Sequence, residues 1–221
     1  MLATHDCQAL VKKLLLALLL ILPTALFAQT TEDRLFEAIV DDKPLVAEGI
    51  IIKGRVNINA RNLAYETPLH LAIERGFREL TQLLIKSGAD INARTKNQET
   101  PIHFAALHED PFYVLVLLEA KADPKVRNDD GETPLYWAVL TGNYQTAKQL
   151  LEKGADGKVK ALNGNTLLHA AADAGHDDLV KLALTLDINV KDRNREGKMA
   201  IDLARSRGYA DIVKMLERLS R

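Results

Sequence analysis

Cysteine is almost absent from this sequence, Cys7 being the only one. An intramolecular disulfide is excluded, and so is a zinc cluster built on thiolates. Aromatic residues make up 5% of the chain and include one tryptophan, Trp137. That is thin for a platform on which nucleic-acid bases stack. Neither sign of charge dominates: Lys and Arg number 29, Asp and Glu 30, for a formal net charge of -1. A chain that coats nucleic acid carries a clear basic excess, so no nucleic-acid partner is expected. Serine is scarce, with Ser87, Ser206 and Ser220 scattered over turns and the C-terminus. No nucleophile elbow, phosphate-cradling glycine loop or His-Glu-x-x-His helix is present. The carboxylate pairs Asp41-Asp42, Asp129-Asp130 and Asp177-Asp178 are sequence neighbours at solvated or capping positions, which does not suit paired acid–base work. No catalytic site and no cofactor are expected.

What is present is an ordinary globular mixture, 47% apolar and 27% charged over 221 residues. That length allows one domain or two small ones. The first 28 residues stand apart. Lys12 and Lys13 precede an apolar run from Leu14 to Leu22, Pro23 breaks it, and Ala25-Leu26-Phe27-Ala28 leads into Gln29. A basic start, an apolar middle and a small residue at the cut make the three-part pattern of an export signal. The uncharged stretch from Leu14 to Ala28 is shorter than the roughly 20 residues a spanning helix needs. Membrane association is expected only if this segment is retained as an anchor. Cleavage would also remove Cys7, leaving a chain without thiols, which suits an oxidising compartment.

The remainder repeats itself. Thr67-Pro68-Leu69-His70 recurs as Thr100-Pro101-Ile102-His103, Thr133-Pro134-Leu135-Tyr136 and Thr166-Leu167-Leu168-His169, with a decayed copy at Met199-Ala200-Ile201-Asp202. Gly88-Ala89-Asp90, Lys121-Ala122-Asp123 and Gly154-Ala155-Asp156 keep the same phase. The period is 33 throughout, without insertion. Within one copy, Thr67 suits a helix cap and Pro68 the first helical position. Leu69, Ala72 and Ile73 fall on one face, and Gly76 ends the first helix with a left-handed residue. Leu80, Leu83 and Leu84 stripe a second helix that Gly88 ends. Residues 90–99 are polar and read as a projecting extended hairpin.

Thr-Pro-Leu-His, Gly-Ala-Asp and Asn-Ala at this period resemble ankyrin repeats, over nearly all of the chain after residue 28. The resemblance implies an all-α solenoid of stacked helix-turn-helix units with projecting hairpin loops. Counting in thirty-threes gives a capping unit over 29–61, repeats over 62–94, 95–127, 128–160 and 161–193, and a truncated cap over 194–221. Counting back from Thr67 places the first helix start at Arg34. The end units are expected to be polar outside, through Glu32, Asp33, Glu37 and Asp41 at one end and Arg205, Lys214 and Arg218 at the other. The resemblance further implies a structural role for His70, His103 and His169, and a concave groove that binds a protein partner. The partner is unidentified, the array is expected to be monomeric, and the short signal favours the periplasm, with secretion or inner-membrane anchoring as alternatives. A toxic effector neutralised in that compartment is one partner class.

Two features suggest where a partner would touch. Leu107 and Leu140 hold one variable position in the middle copies, beside His108 and Thr141, with charged residues in the flanking copies. An apolar centre with a polar rim is the anatomy of a protein interface. The alternative is that both leucines tuck against neighbouring helices. Second, Arg61, Arg94, Arg127, Lys160 and Arg193 form a basic ladder at one phase. It reads either as a stripe for an acidic partner segment or as local pairing with Glu66, Glu99 and Glu132 across the hairpins. Asn165 and Lys198 replace the acid in the last two copies, so Lys160 and Arg193 are expected to be the least neutralised. Copy three departs from the pattern: Glu109 and Lys121 stand where glycines end the helices elsewhere, and Asp110-Pro111 looks like a cap for the second helix.

Overall fold

The computed structural model describes residues 29–220. The export segment read over 1–28 lies outside them. Twelve helices follow in consecutive pairs: α1 (Thr31–Val40) with α2 (Pro44–Ile52), α3 (Pro68–Glu74) with α4 (Arg78–Lys86), α5 (Pro101–Ala105) with α6 (Phe112–Glu119), α7 (Pro134–Leu140) with α8 (Tyr144–Glu152), α9 (Leu167–Ala174) with α10 (Asp177–Leu184), and α11 (Ala200–Arg207) with α12 (Ala210–Ser220). The odd-numbered helices stack on one another along the array, and the even-numbered helices form a second layer behind them. No helix carries enough apolar surface to fold alone, and stacking joins their stripes into one core running from Leu35 to Leu216.

Three of the first helices are started the same way. The Thr67, Thr100 and Thr166 backbone N–H groups donate to Nδ1 of His70, His103 and His169, at 3.1, 3.1 and 3.3 Å. That bond satisfies a backbone amide in the buried turn before the helix, where water cannot reach it. The first unit differs from the counted register. Its helix is capped at Thr30, one turn before Arg34, by a reciprocal pair: Asp33 N–H donates to Thr30 Oγ1 and Thr30 N–H to Asp33 Oδ2, both at 3.0 Å. Among the described residues no copy precedes this one, and local capping sets the start.

The segments between pairs are turns rather than extended strands; no strand is present among the described residues. They are nevertheless joined. Thr95, Asn128, Ala161 and Asn194 N–H each close their own turn onto the carbonyl four residues later. The next amide then reaches back one copy: Lys96 to Ala64 at 3.0 Å, Asp129 to Asn97 at 3.0 Å, Leu162 to Asp130 at 2.7 Å and Arg195 to Asn163 at 2.8 Å. A relay of backbone bonds thus runs along the projecting edge.

Copy three is remodelled where its glycine is missing. Glu109 does not take left-handed backbone, α5 ends after five residues, and Asp110 Oδ1 caps α6 by accepting from Phe112 N–H at 3.1 Å. The next copy covers the loop. Asn143 Nδ2 donates to Ala106 O at 2.9 Å, and the Thr146 hydroxyl to His108 O at 2.7 Å. Lys121, by contrast, does stand in for a glycine, at φ 75°. A side chain there is strained, so Lys121→Gly is expected to raise stability by about 0.5–1 kcal/mol. The urea midpoint checks this: a lower midpoint in the variant would mean that Lys121 is held by contacts worth more than the strain.

Polar capping holds for α1 but not for α2. Leu45, Val46 and Ile52 are 79%, 51% and 73% exposed.

Candidate functional site

A concavity of about 730 Å³ opens between the last two turns and the first helices behind them. Leu162, Asn165, Asp173, Arg195, Lys198 and Arg207 are among its lining residues. The repeat carries the same registers along one face of the whole array. One copy earlier they are Asp129, Asp130, Glu132 and Leu140, and two copies earlier Lys96, Glu99 and Leu107. Leu107 and Leu140 therefore occupy the register that Asp173 and Ser206 hold in the concavity, in stacked neighbours and outside its lining.

Both leucines are exposed, at 42% and 41%, and do not tuck into the core. Thr141 beside them is exposed, and its hydroxyl donates to Trp137 O at 2.8 Å. His108 is placed differently from a contact residue. It is half-buried, its Nε2 lies 2.6 Å from Ile73 O, and its ring packs 4.6 Å from that of Tyr113. In this fold it ties copy three back to copy two.

The ladder residues are engaged with the array itself, but not with the acids expected. Arg94 Nη1 donates to Gln98 O at 3.0 Å and to Arg127 O at 3.2 Å. Arg127 repeats this one copy on, Nε to Gly131 O at 2.9 Å and Nη2 to Lys160 O at 2.6 Å. Arg193 Nη1 donates to Gly197 O at 2.6 Å. Arg61 lies over the Tyr65 ring at 5.8 Å. The pairing with Glu66, Glu99 and Glu132 is absent, because a guanidinium fork fits the turn carbonyls and can bridge two copies at once. Those acids take neutral donors instead: Asn62 at 2.6 Å, Thr95 at 2.9 Å and Trp137 Nε1 at 2.7 Å. Lys160 is not the least neutralised cation either, since its Nζ sits 2.8 Å from Asp192 Oδ2.

Trp137 is a groove residue that sequence reasoning passed over. It is half-buried, 5.3 Å edge-on from His103 and 6.3 Å from Phe104. Its signal was its position, directly after Thr-Pro-Leu-Tyr, where the register faces the groove. The histidines serve the scaffold. Burial pushes His70 and His103 down to about 4 and lowers His169 as well. Nδ1 accepts from backbone, so Nε2 carries the proton. It faces Glu132 O at 3.3 Å in His103 and Lys198 O at 3.1 Å in His169. Among the described residues no three His, Cys, Asp or Glu groups gather as metal ligands, and no helix is long and apolar enough to cross a membrane.

Stacked helix pairs joined through one core define a helical repeat solenoid. The family model for ankyrin repeats (3 copies) matches residues 35–128, 69–161 and 154–218, and the chain belongs to that family. Its repeats indicate a protein–protein interaction module, a class that is generally non-catalytic. A search of curated proteins returns no match.

Proposed function

We propose that this chain is an exported binding module that holds a protein partner in its concave groove. The observation that carries the reading is the pair Leu107 and Leu140, two-fifths exposed in one register of neighbouring copies, where a folded monomer has nothing to gain by showing them to water. Charged residues hold that register in the flanking copies, which gives the apolar centre a polar rim. Export rests on the basic, apolar and small-residue order of residues 1–28, which favours the periplasm.

One preparation tests both parts. The exported chain, recovered and sequenced from its N-terminus, is expected to begin at Gln29; a start at Met1 would replace the soluble reading with a tethered one. Immobilised, it is expected to retain a protein from the same compartment. Leu107→Asp combined with Leu140→Asp is expected to lose that protein while keeping the helical circular-dichroism spectrum and the melting temperature. Unchanged retention by the folded double variant would exclude the two leucines as the centre of the site.

A further inference from the structure

The groove separates charge in a way the balanced composition hides. In copies two to four its registers carry six carboxylates, Glu66, Glu74, Glu99, Asp129, Asp130 and Glu132, against Arg75 and Lys96. Arg75 is already engaged by Asp42 at 3.2 Å. Among the described residues none of the six acids pairs with a cation, and the hydrogen bonds to Glu66, Glu99 and Glu132 come from neutral donors, which leave the charge in place. The ladder arginines of the same turns do not offset this at the groove. Their own partners are neutral too, backbone carbonyls for Arg94 and Arg127 and the Tyr65 ring for Arg61, so their charge also stays in place, but the ladder register, Lys160 and Arg193, is missing from the lining of the concavity. In the last two copies the sign changes: Arg195, Lys198 and Arg207 face Asp173 and Glu196, two ion pairs form, and Arg195 is left without a side-chain partner among the described residues.

We propose that the partner segment in this groove is cationic, with basic side chains over copies two to four and an apolar side chain seated on Leu107 and Leu140. The proposal rests on the groove-binding reading above and gives it a chemistry, opposite in sign to the one the basic ladder suggested. A low-dielectric wall lined by one sign of charge concentrates the opposite sign in front of it. The same field repels polyanions, so it selects a basic protein segment over nucleic acid.

The test uses two dye-labelled synthetic peptides, one of Lys, Leu and Gly, the other with Glu in place of every Lys. Anisotropy gives their Kd for the exported protein at physiological salt. The lysine peptide is expected to bind, more weakly as salt rises, and the glutamate peptide not to bind. Asp129→Lys with Asp130→Lys reverses two exposed groove charges whose side chains hold no other group. Glu119→Lys with Glu152→Lys makes the same change in net charge on the second-helix layer. The groove variant is expected to raise the Kd of the lysine peptide by at least about tenfold, and the second-layer variant by less than about threefold. Equal losses in the two variants, or no binding of the lysine peptide, overturns the proposal. If the glutamate peptide binds instead and Leu107→Asp with Leu140→Asp releases it, the groove reading stands and the cationic partner falls. If every groove substitution leaves peptide binding unchanged, both fall.

Discussion

Between pH 7.5 and pH 5 this protein is expected to lose about 4 kcal/mol of stability through two side chains, His70 and His103. Each is held at about 4 in the folded chain by burial, against an ordinary value of 6.5. As the pH falls the unfolded chain takes up these protons first, so the folded state loses ground. The loss begins near 7.5, reaches about 2 kcal/mol per histidine at pH 5 and levels off below 4. Above about 7.5 neither group contributes a slope. His169 is lowered by the same cause and adds in the same direction. Urea denaturation at pH 7.5, 6.5, 5.5 and 5 measures the effect. His103→Gln removes one titrating ring and is expected to lose roughly half the slope, whatever its stability at neutral pH. A wild-type curve that is flat across the window, or a variant with an undiminished slope, would show that these rings are not held neutral by burial.

Gly164→Ala is expected to destabilise by about 2–3 kcal/mol, and Gly197→Ala by only about 1 kcal/mol. Both glycines end their turn with left-handed backbone, at φ 83° and 76°. A methyl group at either site meets that conformational strain. At Gly197 it meets no heavy atom within 4 Å. At Gly164 the new carbon would lie 2.9 Å from Arg195 N and 3.1 Å from Asn194 Cα. Those atoms cannot drift away, because Arg195 N–H donates to Asn163 O at 2.8 Å and Asn194 N–H to Lys198 O at 2.9 Å. Gln98 carries a side chain in the same register at φ 62°, a smaller rotation than that of Gly164. Thermal or urea unfolding of the two variants side by side gives the answer. Equal losses would mean that the two last turns separate without resistance.

The repeat and its helix ends were legible because they depend on period and on single residues. A 33-residue phase fixes which faces are apolar, and Lys121 in a glycine register announces its left-handed backbone. The first helix start was not legible, since the Thr30–Asp33 capping box sets it locally, off the phase that the stacked copies share. The arginine partners were not legible either. Sequence spacing set Arg94 near Glu99, but a guanidinium on three methylenes reaches the carbonyl of Arg127, 33 residues away, where its fork takes two turn carbonyls at once while the Thr95 hydroxyl holds Glu99. Leu107 and Leu140 were legible as a register; their exposure depends on how far the neighbouring helices cover them, which no pattern of letters states.

Lysine at position 160 alters how the array transmits load. Arg94 and Arg127 each clamp their own turn to the following copy through backbone carbonyls, which any bending of the array must break. A lysine has no fork, and Lys160 grips the half-buried side chain of Asp192 instead. The joint it spans is held by other bonds, Arg195 N–H to Asn163 O at 2.8 Å, Asn194 Nδ2 to Asn165 Oδ1 at 2.9 Å and Arg207 to Asp173 at 2.8 Å, and the 730 Å³ concavity opens beside it. Backbone clamps in the middle copies thus give way to side-chain bonds and exposed ion pairs at the last joint, where dissolved salt acts directly on what ties one copy to the next.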